Sequence, residues 1–219
     1  MLTRVGTKRL LVSRQDPETK RFTPVGVLSC HDGHYAFSYE EGVKRALPGL
    51  PLGRAHHSDS LFPIFSERVI HPLRPDRRRT LEQLGLPPEV GPFEILAVSG
   101  GRRTGDTYEL TPLPEPGEVA LQFLVHGVRH LTDVEQSVIA TLVPGQQLDL
   151  VPEPDNEYND RALLVTTDGR RLGYVPDPLL SFVHPIMRHA FTLKVLRVND
   201  VEAGLHMRLL VELHGHYDG

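Results

Sequence analysis

The chain has 219 residues, 39% of them hydrophobic and 24% charged, a composition that supports folded cores and excludes intrinsic disorder. Its single cysteine permits no internal disulfide, which fits a reducing, cytoplasmic environment. No run of 18 apolar residues occurs and residues 1–4 do not open a signal peptide, so we expect a cytoplasmic protein with no membrane partner.

The net charge of −4 is unevenly distributed along the chain. Residues 1–117 hold 16 Lys and Arg against 14 Asp and Glu, whereas residues 118–219 hold 8 against 14. Non-specific duplex binding needs several cations on one face, so the acidic half is not expected to bind DNA by charge alone. Tryptophan is absent and aromatics make up 6%, so base stacking would depend on one or two placed rings.

The first half begins with a pattern that predicts short strands separated by turns. We predict strands at residues 9–15, 22–29 and 35–39 and helices at residues 40–47, 77–84 and 92–97. Residues 16–19 form a turn after the first strand, and Asp32-Gly33 gives a hairpin signal after the second. Asp76 stands at the N-cap position of the second helix.

Residues 20–112 resemble the N-terminal part of HipA-type proteins. The segments that carry the resemblance are residues 25–28, 35–39, 51–52, 61–65, 73–76 and 92–97, followed by the glycine-rich residues 99–106. The resemblance implies a small mixed α/β domain. In HipA kinases the catalytic core follows this piece, but here no segment supplies a kinase Asp base with metal-binding Asn and Asp. A protein-interaction or regulatory role is therefore implied, through contact with a separate kinase-like chain.

The glycine-rich loop at residues 99–105 has two interpretations. Its amides could cradle a phosphate, or it could be a turn between two elements, since no Lys-Ser/Thr motif follows it. The next segment, residues 112–117, contains three prolines and a glycine and predicts a stiff linker. We therefore place one domain at residues 1–115 and a second at residues 118–219.

The second half is predicted to be mostly β. The predicted strands are residues 119–128, 147–151, 162–166, 171–175, 191–198 and 205–213, with a short helix or irregular segment at 133–141 and a helix at 177–189. Many short strands with one helix are typical of a small closed or partly open barrel. The fold class is therefore α+β, mostly β.

Four ordered motifs in this half resemble the HIRAN domain, a β-barrel module that binds nucleic acid. They are residues 127–130 (GVRH), 153–159 (EPDNEYN), 161–163 (RAL) and 173–176 (GYVP). The resemblance implies a pocket for single-stranded DNA or its 3′ end. The implied nucleic-acid-binding residues are Arg129, His130, Asn156, Tyr158, Asn159, Arg161 and Tyr174.

The resemblance also implies roles for these residues. Arg129, on a strand, would contact phosphate, and His130 would place a ring beside the terminal base. Asn156 and Tyr158 would shape the loop, with Tyr158 stacking on the base. Asn159 would face the terminal hydroxyl.

Three positions depart from the family pattern: Leu131 replaces a frequent tyrosine, Asn159 an aspartate, and Asp177 a basic residue. Each site residue also has a purely structural interpretation. Tyr158 and Tyr174 could be ordinary barrel residues, and Asn156 a turn-former. Arg129 could pair with Glu153 or Glu157 instead of with phosphate.

Other chemistry is not indicated. The twelve histidines, including His31 and His34 beside Cys30, and His214 beside His216, give no tetrahedral metal set by their spacing. No Ser-His-Asp order or nucleophile elbow occurs, so we predict no catalytic residue and no cofactor. Residues 77–79, three arginines, are either a solvated helix face or a source of phosphate contacts.

Together these observations predict a non-enzymatic protein that binds single-stranded DNA or 3′ DNA ends, in DNA repair or defence. The alternative is a regulatory partner of a toxin–antitoxin-like kinase system, with a protein as its ligand through the N-terminal domain. A third possibility is nucleotide chemistry at the glycine-rich loop.

Overall fold

The computed structural model describes residues 9–103 and 105–219. Residues 1–8, which include the N-terminal residues 1–4 considered above, and Thr104 of the glycine-rich loop lie outside the described part. The chain divides into two compact units. The first comprises Met1–Arg77 with Glu89–Leu113, and the second Arg78–Pro88 with Pro114–Gly219. The domains at 1–115 and 118–219 remain a prediction, from which these units differ by placing residues 78–88 with the second.

The described residues form eleven strands, all paired antiparallel, and five α-helices. The strands are β1 (Arg9–Gln15), β2 (Phe22–His31), β3 (His34–Tyr39), β4 (His56–Ser58), β5 (Tyr108–Pro112), β6 (Gly117–Leu124), β7 (Gln147–Pro152), β8 (Leu163–Thr167), β9 (Arg170–Tyr174), β10 (Thr192–Val198) and β11 (Leu209–Tyr217). The helices are α1 (Pro63–Ser66), α2 (Arg77–Gln83), α3 (Pro92–Ser99), α4 (Asp133–Thr141) and α5 (Leu180–Ile186). The mostly β character predicted from the sequence is confirmed.

The first unit is built on a five-stranded sheet in the order β4-β3-β2-β1-β5. Asp32 and Gly33 both have positive φ, 49° and 83°, which produces the predicted tight hairpin between β2 and β3. Apolar side chains from the sheet pack with those of α1 and α3 in one core. Its fully buried members include Leu10, Val12, Leu28, Phe37, Phe65, Leu96 and Leu110.

The predicted helix at residues 40–47 is wrong. These residues form turns, and Gly42 has a φ of 80° that no α-helix contains. The Tyr39 hydroxyl accepts a 2.6 Å hydrogen bond from the Leu47 amide and donates one to the Leu50 carbonyl. A half-buried tyrosine therefore bonds the Leu47 amide, which a helix would have bonded to its own backbone.

The second unit contains a six-stranded sheet in the order β6-β11-β10-β7-β8-β9. At the end of β9, Tyr174 forms a bridge with His126, which follows β6, through two backbone hydrogen bonds of 2.9 Å. The first and last strands of the order are thus connected at one point. Closure into a barrel remains a prediction, as does the HipA-like nature of the first unit.

One prediction in the second unit is wrong, and another is confirmed only in part. The strand predicted to run through Val128 ends at Leu124, and residues Val128–His130 form a 3₁₀ turn. The cause is Gly127, whose φ of 76° turns the chain so that the His130 amide bonds to the Gly127 carbonyl. The helix predicted at 177–189 is a 3₁₀ turn, Asp177–Leu179, followed by the shorter α5.

The segment Arg78–Pro88 is part of the second unit although it precedes β5 in the chain. The buried Asn199 side chain donates to the carbonyls of Gln83, at 2.9 Å, and Met207, at 2.6 Å. Arg79 forms a 2.6 Å ion pair with Glu202. These contacts attach α2 to the loop between β10 and β11.

Among the helices of the described residues, none has both the length and the apolar character that crossing a membrane would require.

Candidate nucleic-acid interface

Tyr174 occupies the centre of the candidate site. It ends β9, where its backbone pairs with His126, and its ring lies against Gly127. A Cβ atom at Gly127 would come within 2.9 Å of the ring atom Cδ2, so only glycine fits there without a shift. Gly127 therefore brings the turn that carries Arg129 next to Tyr174.

A network of polar side chains surrounds the Tyr174 hydroxyl. This hydroxyl donates to Glu153 Oε2 at 2.8 Å and accepts from Arg171 Nη2 at 2.6 Å. Asn156 Nδ2 donates to the same Glu153 oxygen at 2.6 Å, and Arg171 lies 3.6 Å from the other one. The network connects β9 with the loop that follows β7.

The network shifts the acidity of two of its members in opposite directions. The hydrogen bond from Asn156, followed by that from Tyr174 and the charge of Arg171, lowers the pKa of Glu153. Burial, followed by the bond to Glu153, raises the pKa of Tyr174. Glu153 is therefore an anion at neutral pH, and Tyr174 remains a neutral donor.

Asn156 organises the loop as well as the network. Its Oδ1 accepts hydrogen bonds from the amides of Tyr158, at 3.0 Å, and Asn159, at 3.2 Å. This is the turn-forming role that the structural interpretation predicted for an asparagine. The turn leaves the Tyr158 side chain 63% exposed, which is unusual for a large aromatic residue.

Asn159 and Asp177 form a second contact behind this loop. Asn159 Oδ1 accepts from the Arg161 amide at 3.0 Å, and the Asn159 side chain donates to the Asp177 carboxylate. Desolvation raises the pKa of Asp177, and the Asn159 bond opposes that rise. Both departures from the family pattern at these positions therefore form one structural pair.

Arg129 and His130 are exposed on the 3₁₀ turn. Arg129 Nε donates to His130 Nε2 at 2.9 Å. Within the described residues, Arg129 has no carboxylate within ion-pair distance, so the predicted pairing with Glu153 or Glu157 does not form. Glu153 pairs with Arg171 instead.

The predicted site residues are thus partly assembled. Asn156 lies 3.5 Å from the Tyr174 hydroxyl and holds the amides of Tyr158 and Asn159. Gly127, two residues before Arg129, lies against the Tyr174 ring. The Arg161 residue is exposed, and only its backbone forms hydrogen bonds here.

Sequence analysis missed Arg171. Simple alternation would place Arg171 and Tyr174, three positions apart, on opposite faces of β9. A register shift in the β8–β9 pairing, where Thr166 faces Arg171 and Val165 faces Gly173, brings both side chains together. The only signal in the sequence is Gly173, a residue type that often marks a bulge.

The other candidate features of the sequence have internal roles. The three arginines at residues 77–79 contact the Ile70 carbonyl, Glu82 and Glu202 respectively. Gly100 ends α3 with a φ of 70°, and the described loop residues connect α3 to β5. No group of His, Cys, Asp and Glu able to hold a metal ion occurs within the described residues.

Comparison with known proteins identifies the second unit. Residues 119–216 match the model of the HIRAN domain, so this part of the chain is a HIRAN domain, as predicted. Among solved structures, the HIRAN domain of human HLTF is similar at 18% identity, over 47% of this chain and 81% of that one, with a TM-score of 0.35. A protein from Lactobacillus plantarum is similar at 22% identity, over 46% and 99%, with a TM-score of 0.34.

The search of curated proteins gave no match. The HIRAN assignment supports a nucleic-acid-binding role for the second unit.

Proposed function

We propose that the HIRAN domain of this chain binds single-stranded DNA at its 3′ end and that the protein acts without catalysis of its own. The observation that carries the proposal is the pair Arg129 and Tyr158. Both side chains are exposed in a domain that matches HIRAN, and Arg129 has no carboxylate partner among the described residues. A guanidinium binds phosphate and a phenol stacks on a base, the two interactions that unpaired DNA offers.

The network around Tyr174 supports this role by fixing the loop that carries Tyr158. Asn156 bonds both to Glu153 and to the Tyr158 amide, so the loop conformation is set before a ligand arrives. A preorganised loop loses less conformational entropy on binding than a mobile one. Glu153 pairs with Arg171, whereas Arg129 has no carboxylate partner among the described residues and can therefore bind phosphate.

The charge of the domain limits the kind of binding that we propose. Residues 118–219 carry 14 acidic against 8 basic residues, so a long strand would be repelled outside a small contact. We therefore propose recognition of a strand end through one or two phosphates. Binding should then weaken with salt at a logarithmic slope of only about −1, because single strands give about −0.7 per neutralised phosphate.

The test is fluorescence anisotropy with a short 5′-labelled oligonucleotide carrying a free 3′ hydroxyl, at about 50 and about 200 mM salt. A matched oligonucleotide with a 3′ phosphate should bind more weakly. Arg129→Ala and Tyr158→Ala should each weaken binding about tenfold, and Tyr158→Phe, which keeps the ring, should not. Arg188→Ala, which removes an exposed arginine elsewhere in the second unit, is the charge-matched control.

Absence of binding at the lower salt concentration contradicts the proposal. If Arg129→Ala and Tyr158→Ala bind DNA as tightly as the parent chain does, the site is contradicted. Equal binding of the free and blocked 3′ ends would reduce the proposal to single-strand binding without end recognition.

A further inference from the structure

A cavity of about 310 Å³ opens in the first unit, far along the chain from the HIRAN motifs. It is lined by residues of β1, β2, β5 and the turn that replaces the predicted helix at 40–47. The lining residues that matter below are Arg14, Val25, Val43, Lys44, Arg45 and Tyr108. The volume lies at the lower end of the range for small-molecule sites.

The walls of the cavity are held in place by backbone and side-chain hydrogen bonds. The Glu40 amide bonds to the Val25 carbonyl at 3.0 Å, and the Tyr39 hydroxyl holds the Leu47 amide. These bonds fix both ends of the turn that carries Lys44 and Arg45. The backbone of this wall is therefore held at both ends, while the Lys44 and Arg45 side chains on it are exposed.

One side of the cavity is apolar and contains an aromatic ring. Val25 is buried and Val43 half-buried, and the Tyr108 ring completes this wall. Arg68, which does not line the cavity, lies with its guanidinium carbon 5.5 Å from the centre of the Tyr108 ring. This contact holds the ring in place, which suits it to pack against a flat ligand group.

Three of the other seven lining residues are cations. Arg14, Lys44 and Arg45 face the cavity with Glu41 as the one carboxylate of the lining. Within the described part of the chain, none of these three cations has an ion-pair partner within 4 Å. The nearby Asp16 is held mainly by the Thr19 amide, and Arg14 is the weakest contributor to its lowered pKa. Three cations and one carboxylate leave the lining with a net positive charge, which favours the binding of an anion.

We propose that this cavity binds a small phosphate-bearing molecule of the size of a mononucleotide. The phosphate meets Lys44, Arg45 and Arg14, which supply charge-assisted donors. The flat, neutral part of the ligand packs against Tyr108, Val25 and Val43, and Glu41 accepts from its amino group. This site is separate from the proposed DNA site and stands whether or not that site binds DNA.

Isothermal titration of the full-length protein with adenosine 5′-monophosphate tests the proposal. We expect one site per chain, with adenosine and inorganic phosphate each binding at least about tenfold more weakly, because each makes half of the contacts. The double variant Lys44→Gln/Arg45→Gln should lose at least about tenfold in affinity for the nucleotide. Arg9→Gln, which removes an exposed arginine at the far end of β1, should bind as the parent chain does.

Two further measurements locate the binding. In spectra of amide resonances, the nucleotide should shift Val25, Val43 and Tyr108 and leave Arg129 and Tyr158 unchanged. Thermal unfolding of the double variant should match the parent, since Lys44 and Arg45 are exposed. Shifts confined to Arg129 and Tyr158, an unchanged affinity of the double variant, or no binding at all each overturn the proposal. Phosphate binding as tightly as the nucleotide overturns it as well, because the cavity would then hold an adventitious anion only.

Discussion

The hydroxyl of Tyr174 donates a 2.8 Å hydrogen bond to the carboxylate of Glu153, and this bond joins β9 to the loop after β7. Asn156 and Arg171 bond to the same pair from either side. The carboxylate therefore accepts two hydrogen bonds and forms an ion pair with Arg171, and a change at Glu153 affects the loop that presents Tyr158.

Glu153→Gln should destabilise the protein at neutral pH. The pKa of Glu153 is lowered below its usual 4.5, so its contribution to stability is present above pH 4.5 and is lost as the pH falls through the lowered value. The substitution keeps one acceptor but removes the charge, and we expect a loss of about 1 kcal/mol at pH 7. Denaturant unfolding should show the full loss at pH 7 and a loss near zero at a pH below the lowered pKa of Glu153. Glu157→Gln, at an exposed position, is the control, and a loss independent of pH would contradict the assignment.

Asp177→Asn should have the opposite effect. Burial raises the pKa of Asp177 above its usual 3.8, so the ionised side chain destabilises the folded state at pH 7, and this penalty vanishes at low pH. An amide at this position can still accept the hydrogen bond from Asn159. We expect the Tm at pH 7 to rise by about 2 °C, as a gain below 1 kcal/mol gives in a chain of this length. The gain should disappear below pH 3.8, and Asp160→Asn at an exposed neighbour should show none.

Gly173→Ala should reduce the free energy of unfolding far more than Gly145→Ala does in the same unit. A Cβ at Gly173 would collide with the His126 carbonyl and with Val125 Cγ1 at 2.6 Å, and the backbone φ there is 129°. Gly145 also has a positive φ, 86°, but a Cβ there would meet nothing within 4 Å. We therefore expect about 1 kcal/mol for Gly145→Ala and at least about 3 kcal/mol for Gly173→Ala. Equal losses of unfolding free energy for the two variants would show that the backbone segments at Gly173 and His126 are not closely packed.

Asn199→Ala should loosen the attachment of residues 78–88 to the second unit. Asn199 is 5% exposed and is a donor to both Gln83 and Met207, so its removal leaves two carbonyls without this partner. We expect a loss of about 1–3 kcal/mol in unfolding free energy. Hydrogen exchange should also become faster at the amides of Leu84 and Leu86, which α2 and its end protect. Gln147→Ala, which removes an exposed amide on β7, should change neither quantity.

Local signals in the sequence predicted the elements whose hydrogen bonds are local. The hairpin at Asp32-Gly33 needs only two residues that tolerate positive φ. The predicted segment at 133–141 is a helix because Thr132 and Glu135 form a capping box at its start. The same bonds lower the pKa of Glu135.

Tertiary contacts decided the elements that sequence reasoning predicted wrongly. The segment at 40–47 has helical propensity, but Tyr39 takes its backbone groups into another arrangement. Arg129 was predicted on a strand and lies on a turn, because Gly127 lets the chain bend around the Tyr174 ring. Both arrangements depend on side-chain contacts that backbone propensity does not describe, between Tyr39 and the backbone of Leu47 and Leu50 and between Gly127 and Tyr174.

In the candidate site too, local motifs predicted some residues, whereas others depend on tertiary contacts. Ordered motifs were enough to identify the HIRAN domain and to choose Asn156 and Tyr174, which lie side by side. They did not identify Arg171, because its position depends on a bulge in the pairing of β8 with β9. The DNA-binding roles of the individual residues remain predictions until the titrations are made.

The course of the chain through the two units has a consequence for proteolysis. A protease that cuts within the proline-rich residues 112–117 leaves residues 78–88 on the N-terminal fragment. The groups that hold this segment, Asn199 and Glu202, are on the C-terminal fragment. A single cut within residues 112–117 should therefore yield two fragments that remain associated. They should elute as one species in size-exclusion chromatography until they are denatured.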